Sequence, residues 1–222
     1  MSYSNLDEGM PTINQPDNLD IELMEHQKRA VYAMSQLEKN GFVDIKKFLY
    51  YDNKEKDLRI ESRIGILGDM VGSGKSLMIV ALLLISDVVK EKPIYYSSDK
   101  YINVMSLSDN YIKSKCNLLI VPNHLVNQWN DFFEYTNVIK TKILTKDSLI
   151  YNEKTHFKDI DVCITPFSLA YDFFENNSKI LWNRIIIDEA DSMKLKQIDF
   201  LANFVWLITG TPSGIPMAKL AY

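Results

Sequence analysis

The chain has 222 residues, 46% hydrophobic and 24% charged, with a formal net charge of −4, enough for one well-buried core but without an overall basic surface, so a nucleic-acid partner must be met by a local face. Cys116 and Cys163 are too few for a disulfide framework, which favours a reducing, intracellular setting. The longest apolar run, 77–85, falls short of the roughly 20 residues a membrane span needs, and the N-terminus lacks the pattern of a secretion signal, so the chain reads as soluble with no membrane partner.

Residues 1–18, polar and carrying Pro11 and Pro16, read as a flexible leader ahead of a domain over 19–222. Leu23, Ala30, Val31, Met34 and Leu37 recur at helical spacing, and Asn40-Gly41 marks a stop. Residues 42–60 mix aromatic and charged side chains and read as a short connecting element. Short apolar runs follow at 64–67, 118–121, 142–144, 161–164, 184–187 and 205–208, with helical stretches at 75–90, 124–134 and 167–175 between them. Runs that are apolar nearly throughout suit parallel strands covered on both faces, and their alternation with helices predicts a doubly wound α/β sheet with helices on both faces. Residues 91–117, with Tyr95, Tyr96, Tyr101 and Tyr111 among serines and lysines, break the rhythm. They read as a surface loop that varies freely, with a stacking, nucleic-acid-facing insertion as the alternative.

Two clusters carry chemistry. The stretch Gly68-Asp69-Met70-Val71-Gly72-Ser73-Gly74-Lys75-Ser76 follows the run 64–67 and opens a helix. Small residues there let backbone N–H groups converge on a phosphate at the helix's positive end; Lys75 reaches the β- and γ-phosphates and the Ser76 hydroxyl takes a place on Mg²⁺. The strict G-x-x-x-x-G-K-[ST] spacing wants glycine at position 69, where Asp69 stands. A glycine- and serine-rich turn capping an ordinary helix is the alternative. The second cluster, Asp188-Glu189-Ala190-Asp191, ends the apolar run 184–187. Asp188 is placed to hold Mg²⁺ opposite Ser76, and Glu189 to orient and deprotonate an attacking water. A plain helix cap is the alternative.

With both clusters placed, the chain resembles the first RecA-like domain of a superfamily-two helicase or translocase, nearest to the Swi/Snf-type motors and related NTPases of large DNA viruses, over about residues 20–216. The family's phosphate loop, commonly Asp-Glu-Met-Gly-Leu-Gly-Lys-Thr, aligns without a gap on residues 69–76, which accounts for Asp69. Leu23-Met24-Glu25-His26-Gln27 resembles the adenine-reading Q motif, which implies that Gln27 binds the base. Residues 121–129 (Val121 to Trp129) resemble motif Ia, which implies that Pro122, Asn123, His124 and Gln128 meet a nucleic-acid backbone, while Trp129 reads as core packing. Asp161 to Thr165 resembles motif Ib, with Thr165 a phosphate contact. Asp188 to Asp191 resembles motif II in its DEAD spelling, where the Swi/Snf branch more often ends in histidine. Thr209-Gly210-Thr211-Pro212 resembles motif III, which implies that Thr209 and Thr211 couple hydrolysis to nucleic acid.

The resemblance implies a RecA-like P-loop NTPase domain that takes ATP and Mg²⁺ and acts on nucleic acid, by branch double-stranded DNA. Such a motor needs a second RecA-like domain, supplied in cis or in trans, whose arginine finger is typically worth ~10³–10⁵ in turnover. Only six residues follow position 216, so this polypeptide alone is expected to hydrolyse ATP slowly and not to translocate. The alternative function is a nucleotide-responsive binding or scaffold module without motor activity; intact Lys75, Asp188 and Glu189 argue against it. Frequent Asn, Lys, Ile and Tyr suit an AT-rich genome such as that of a large DNA virus, which would place the protein in host cytoplasm or virion.

Overall fold

The structure is a computed structural model and describes residues 9–49, 55–86, 94–96, 111–146, 157, 159–193 and 200–215. Its centre is a six-stranded parallel sheet in the order β3-β12-β10-β6-β8-β7. These strands are β3 (Ile64–Leu67), β6 (Asn117–Val121), β7 (Thr141–Ile143), β8 (Val162–Pro166), β10 (Arg184–Ile187) and β12 (Val205–Ile208). Each coincides within two residues at either end with an apolar run picked out in the sequence. The helices are α1 (Glu25–Asn40), α2 (Lys75–Ile85), α3 (Val126–Phe133) and α4 (Phe167–Asn176).

Strand side chains alternate between two cores because the pleat sends successive residues to opposite faces. Leu119, Val121, Ile186, Trp206 and Ile208 point to the face covered by α1, α2 and α3. Leu118, Ile120, Ile185, Ile187, Val205 and Leu207 point to the other, where Phe173 and Phe174 of α4 meet Ile180, Trp182 and Phe200. Helix α2 is buried from Leu77 to Leu82, which explains an apolar run with no polar stripe. It ends at Ile85; residues 87–90, read as its last turn in the sequence, lie outside the described residues.

Three features depart from the sequence reading. The second face is shared between α4 and a small sheet, β4-β11-β9-β5, formed by Ile94–Tyr96, Phe200–Ala202, Ile180–Trp182 and Ile112–Lys113. The stretch read as a connecting element is an antiparallel hairpin of β1 (Phe42–Leu49) and β2 (Glu55–Glu61). Within the expected leader, Gln15 ties the chain down: its carbonyl accepts from Leu23 N at 2.9 Å and its amide donates to Ile21 O at 3.0 Å. Most of the 91–117 stretch lies outside the described residues, and the question of a stacking insertion with it. Among the described residues no helix is long and apolar enough to cross a membrane.

Candidate functional site

In a parallel sheet the loops beyond the carboxyl ends of the strands converge on one edge, and ligands gather there. Both carboxylate and phosphate-loop clusters fall on that edge. The loop 68–74 leaves β3, Asp188 follows β10, and Thr209 follows β12, which lies between them in the sheet. Gly72 and Gly74 take φ of +85° and +81°, the left-handed backbone that folds the loop over the start of α2.

Lys75 closes that loop on itself. Its ammonium donates to the carbonyls of Asp69 at 2.7 Å and Met70 at 2.9 Å. Gln27 braces the loop: its amide oxygen accepts from Met24 N at 2.9 Å, its nitrogen donates to Ser73 O at 3.1 Å, and the residue is 5% exposed. In this structure Gln27 therefore buttresses the phosphate loop, and the adenine contact that the resemblance implies would require these bonds to be exchanged. His26, next to it, lies 3.2 Å from the same Ser73 carbonyl. The open cleft beside the loop, about 480 Å³, is lined by His26, Arg29 and residues 69–73. Arg29 Nε and Ser73 Oγ are buried there without a partner. Sequence reading passed over His26 and Arg29 as chemistry, although their i, i+3 spacing places them on one helical face beside the loop.

At motif II, Asp188 is half-buried and each carboxylate oxygen has one donor: Oδ1 from Glu189 N at 2.9 Å, Oδ2 from Trp129 Nε1 at 2.7 Å. Burial pushes its pKa up; the Trp129 and Glu189 hydrogen bonds and the Lys75 charge pull it partly back. Glu189 has φ +46°, the only non-glycine residue with positive φ among the described residues, a strained conformation of the kind that collects at functional sites. Asp191 accepts from the hydroxyls of Thr209 and Thr211, which hold its carboxyl below the usual range. Motifs II and III are thus joined directly.

The expected nucleic-acid residues divide by exposure. Asn123, His124 and Gln128 are exposed on the turn 123–125 and the first part of α3. Asn123 is partly committed: it donates to Ser168 Oγ at 3.0 Å and accepts from Ser168 N at 3.2 Å, clamping this turn to the start of α4. Pro122 is buried and shapes the turn through its carbonyl, which accepts from Leu125 N. Thr165 is fully buried, with its hydroxyl unpartnered. In this structure both side chains are covered, unlike the exposed Asn123, His124 and Gln128.

The donor set suits Mg²⁺ and a nucleotide. Ser73, Lys75 and Ser76 on the phosphate loop and the start of α2, with Asp188 beyond β10, supply hydroxyl, ammonium and carboxylate groups at one sheet edge, and the Ser73 hydroxyl is buried without a partner.

A six-stranded parallel sheet with a phosphate loop and a facing carboxylate at its carboxyl edge defines a RecA-like P-loop domain. The chain belongs to the SNF2-related domain family, whose model matches residues 26–214. It is 25% identical to a candidate helicase of Acanthamoeba polyphaga mimivirus, covering 97% of this chain and 35% of that one. It is 27% identical to the DNA repair protein RAD5B of Arabidopsis thaliana, covering 89% of this chain and 19% of that one. The chain thus spans about a third and about a fifth of these relatives. The SWI2/SNF2 ATPase core of Sulfolobus solfataricus in complex with dsDNA has the same fold, with a TM-score of 0.56 at 18% identity, covering 90% of this chain and 34% of that one. The DEAD letters at 188–191 therefore do not assign the chain to the DEAD-box branch, which is a different one.

Proposed function

We propose that the chain is the ATP-binding and ATP-hydrolysing first RecA-like domain of a nucleic-acid-dependent ATPase that works on double-stranded DNA and needs a second RecA-like domain to act as a motor. The observation that carries this reading is that the phosphate loop with Lys75 and the carboxylate Asp188 fall on one sheet edge, where the Lys75 charge partly offsets the rise that burial gives the Asp188 pKa. In this reading Lys75 exchanges the Asp69 and Met70 carbonyls for phosphate oxygens. Ser76 and Asp188 hold Mg²⁺, which supplies charge stabilisation to the transferred phosphoryl group. Glu189 orients and deprotonates the water, and the base enters the cleft at His26 and Arg29. Asp191, Thr209 and Thr211 join this chemistry to a DNA backbone met by Asn123, His124 and Gln128. The duplex in the Sulfolobus complex and the repair function named for RAD5B support double-stranded DNA as the partner, and the mimivirus relative supports a viral origin.

The test is ATP turnover by the purified chain, with and without duplex DNA, beside Lys75→Ala. Turnover that is slow and dependent on Lys75 is expected. Equal turnover in Lys75→Ala would remove the nucleotide site; no turnover and no nucleotide binding would leave a scaffold.

A further inference from the structure

The indole of Trp129 does more than fill the core. It is 1% exposed and packs against Phe132 and Phe133 at centroid distances of 6.0 and 6.2 Å. Yet its one polar atom donates across 59 residues to Asp188 Oδ2 at 2.7 Å. An indole N–H only donates, so this bond has one sense, and its direction is fixed by a ring that tight packing holds on α3. The other oxygen of Asp188 is held by its own loop through Glu189 N. Trp129 is therefore the fixed external reference for the carboxylate's orientation.

The same helix carries the exposed face. Gln128 precedes Trp129 directly, and exposed His124 sits in the turn that leads into α3. A ligand that seats on His124 and Gln128 and shifts α3 moves the indole with it, and so moves a donor on Asp188. A phenylalanine would keep an aromatic ring here, smaller than the indole, but only the N–H joins the two surfaces.

We infer that Trp129 is a positioning residue that links occupancy of the His124–Gln128 face to the metal-holding carboxylate Asp188. This rests on the nucleotide and duplex reading above. Outer partners that orient a metal ligand typically change metal affinity 10–100-fold when lost, which makes the bond large enough to measure.

The test uses the ¹⁵N-labelled full chain, whose three tryptophans give three indole resonances. The Trp129 resonance is assigned by its loss in Trp129→Phe, or through Trp182→Phe and Trp206→Phe if that variant does not fold. Mg²⁺·ADP should shift it relative to ADP alone, and duplex DNA should shift it again. His124→Ala with Gln128→Ala should keep the first shift and lose the second. By calorimetry, duplex should change Mg²⁺·ADP affinity by at least ~5-fold in the unaltered chain and by under ~2-fold in Trp129→Phe, against typical couplings of ~5–150-fold. A folded Trp129→Phe that couples like the unaltered chain, or a Trp129 resonance indifferent to duplex while nucleotide and duplex both bind, overturns the inference alone; absence of duplex binding overturns the duplex reading and this inference with it. Absence of any nucleotide binding overturns the nucleotide reading and this inference with it.

Discussion

Glu38 and Arg184, 146 residues apart, form a bidentate ion pair sealed from solvent, with Nε to Oε1 at 2.7 Å and Nη2 to Oε2 at 2.8 Å. Trp206 Nε1 donates to the same Oε1 at 2.8 Å, and Arg184 also donates to Ser86 Oγ at 2.8 Å and Asn117 Oδ1 at 3.2 Å. Arg184 and Asn117 are the first residues of their strands, so the network bolts α1 and the end of α2 to the sheet at the edge opposite the nucleotide loop. Removing one member of a buried pair leaves the other charge without compensation. Glu38→Gln or Arg184→Met should each cost about 3–5 kcal/mol in urea unfolding, and Glu38→Leu with Arg184→Met less than the sum. A single change costing under about 1 kcal/mol would show that the pair carries no such burden.

Strain at Glu189 separates activity from stability. Glu189→Gln keeps the backbone and should retain nucleotide binding while stopping hydrolysis. Glu189→Gly relieves the φ of +46° and should stabilise the fold by about 1 kcal/mol while also stopping hydrolysis. Normal turnover in Glu189→Gln would end the general-base assignment.

Much of this was legible in the sequence because burial on both faces writes itself as unbroken apolar runs. The strands at 64–67, 184–187 and 205–208 coincide with the observed ones residue for residue. What stayed hidden lies in contacts between distant segments. Gln27 was assigned to a base by the resemblance alone, and its donation to Ser73, 46 residues away, has no local signal. Trp129 looked like plain core because an indole's packing and its donor are one residue to a sequence reader. The β1–β2 hairpin carries many charged residues, so its alternation was too weak to separate from a linker.

Gly74 and Gln27 are fitted to each other. A Cβ at Gly74 would stand 2.2 Å from Gln27 Nε2, on a backbone of φ +81°. Gly74→Ala should therefore lower both stability, by about 1–3 kcal/mol, and nucleotide affinity. Adding Gln27→Ala opens the space and should restore part of the stability without the affinity, since the strained φ and the lost tie to Ser73 remain. Additive stabilities, measured by thermal unfolding, would show that the two residues are not coupled.

Asp188 and Asp191 respond to pH in opposite senses. Asp188 is raised above its ordinary value of 3.8, so the folded state binds its proton more tightly, and stability falls as pH rises from 3.8 through its folded pKa. Asp191 is lowered from 3.8 by Thr209 and Thr211, so it contributes stability that is present above 3.8 and lost as pH falls through its folded pKa. Thr209→Val should move the Asp191 pKa up toward its ordinary value in a carboxyl ¹³C titration, and Trp129→Phe should raise that of Asp188 further. An unmoved Asp191 in Thr209→Val would show that the hydroxyl bond is not the cause.

The proposed DNA face makes an electrostatic prediction that follows from its poverty in cations. Asn123 and Gln128 carry no charge, so of the three side chains only the His124 imidazole can offer one. The slope of log affinity against log salt is about −0.9 for each phosphate neutralised on B-DNA, so contacts of this kind should give a slope no steeper than about −1. His124→Ala with Gln128→Ala should weaken binding to all duplex sequences alike, because phosphate contacts carry no base information. Asn123→Ala should weaken it too, but with a loss shared by Ser168→Ala, since the two hold the turn against α4. A steep salt slope that survives the His124 and Gln128 substitutions would move the principal DNA contact off this face and onto lysines and arginines elsewhere on the chain.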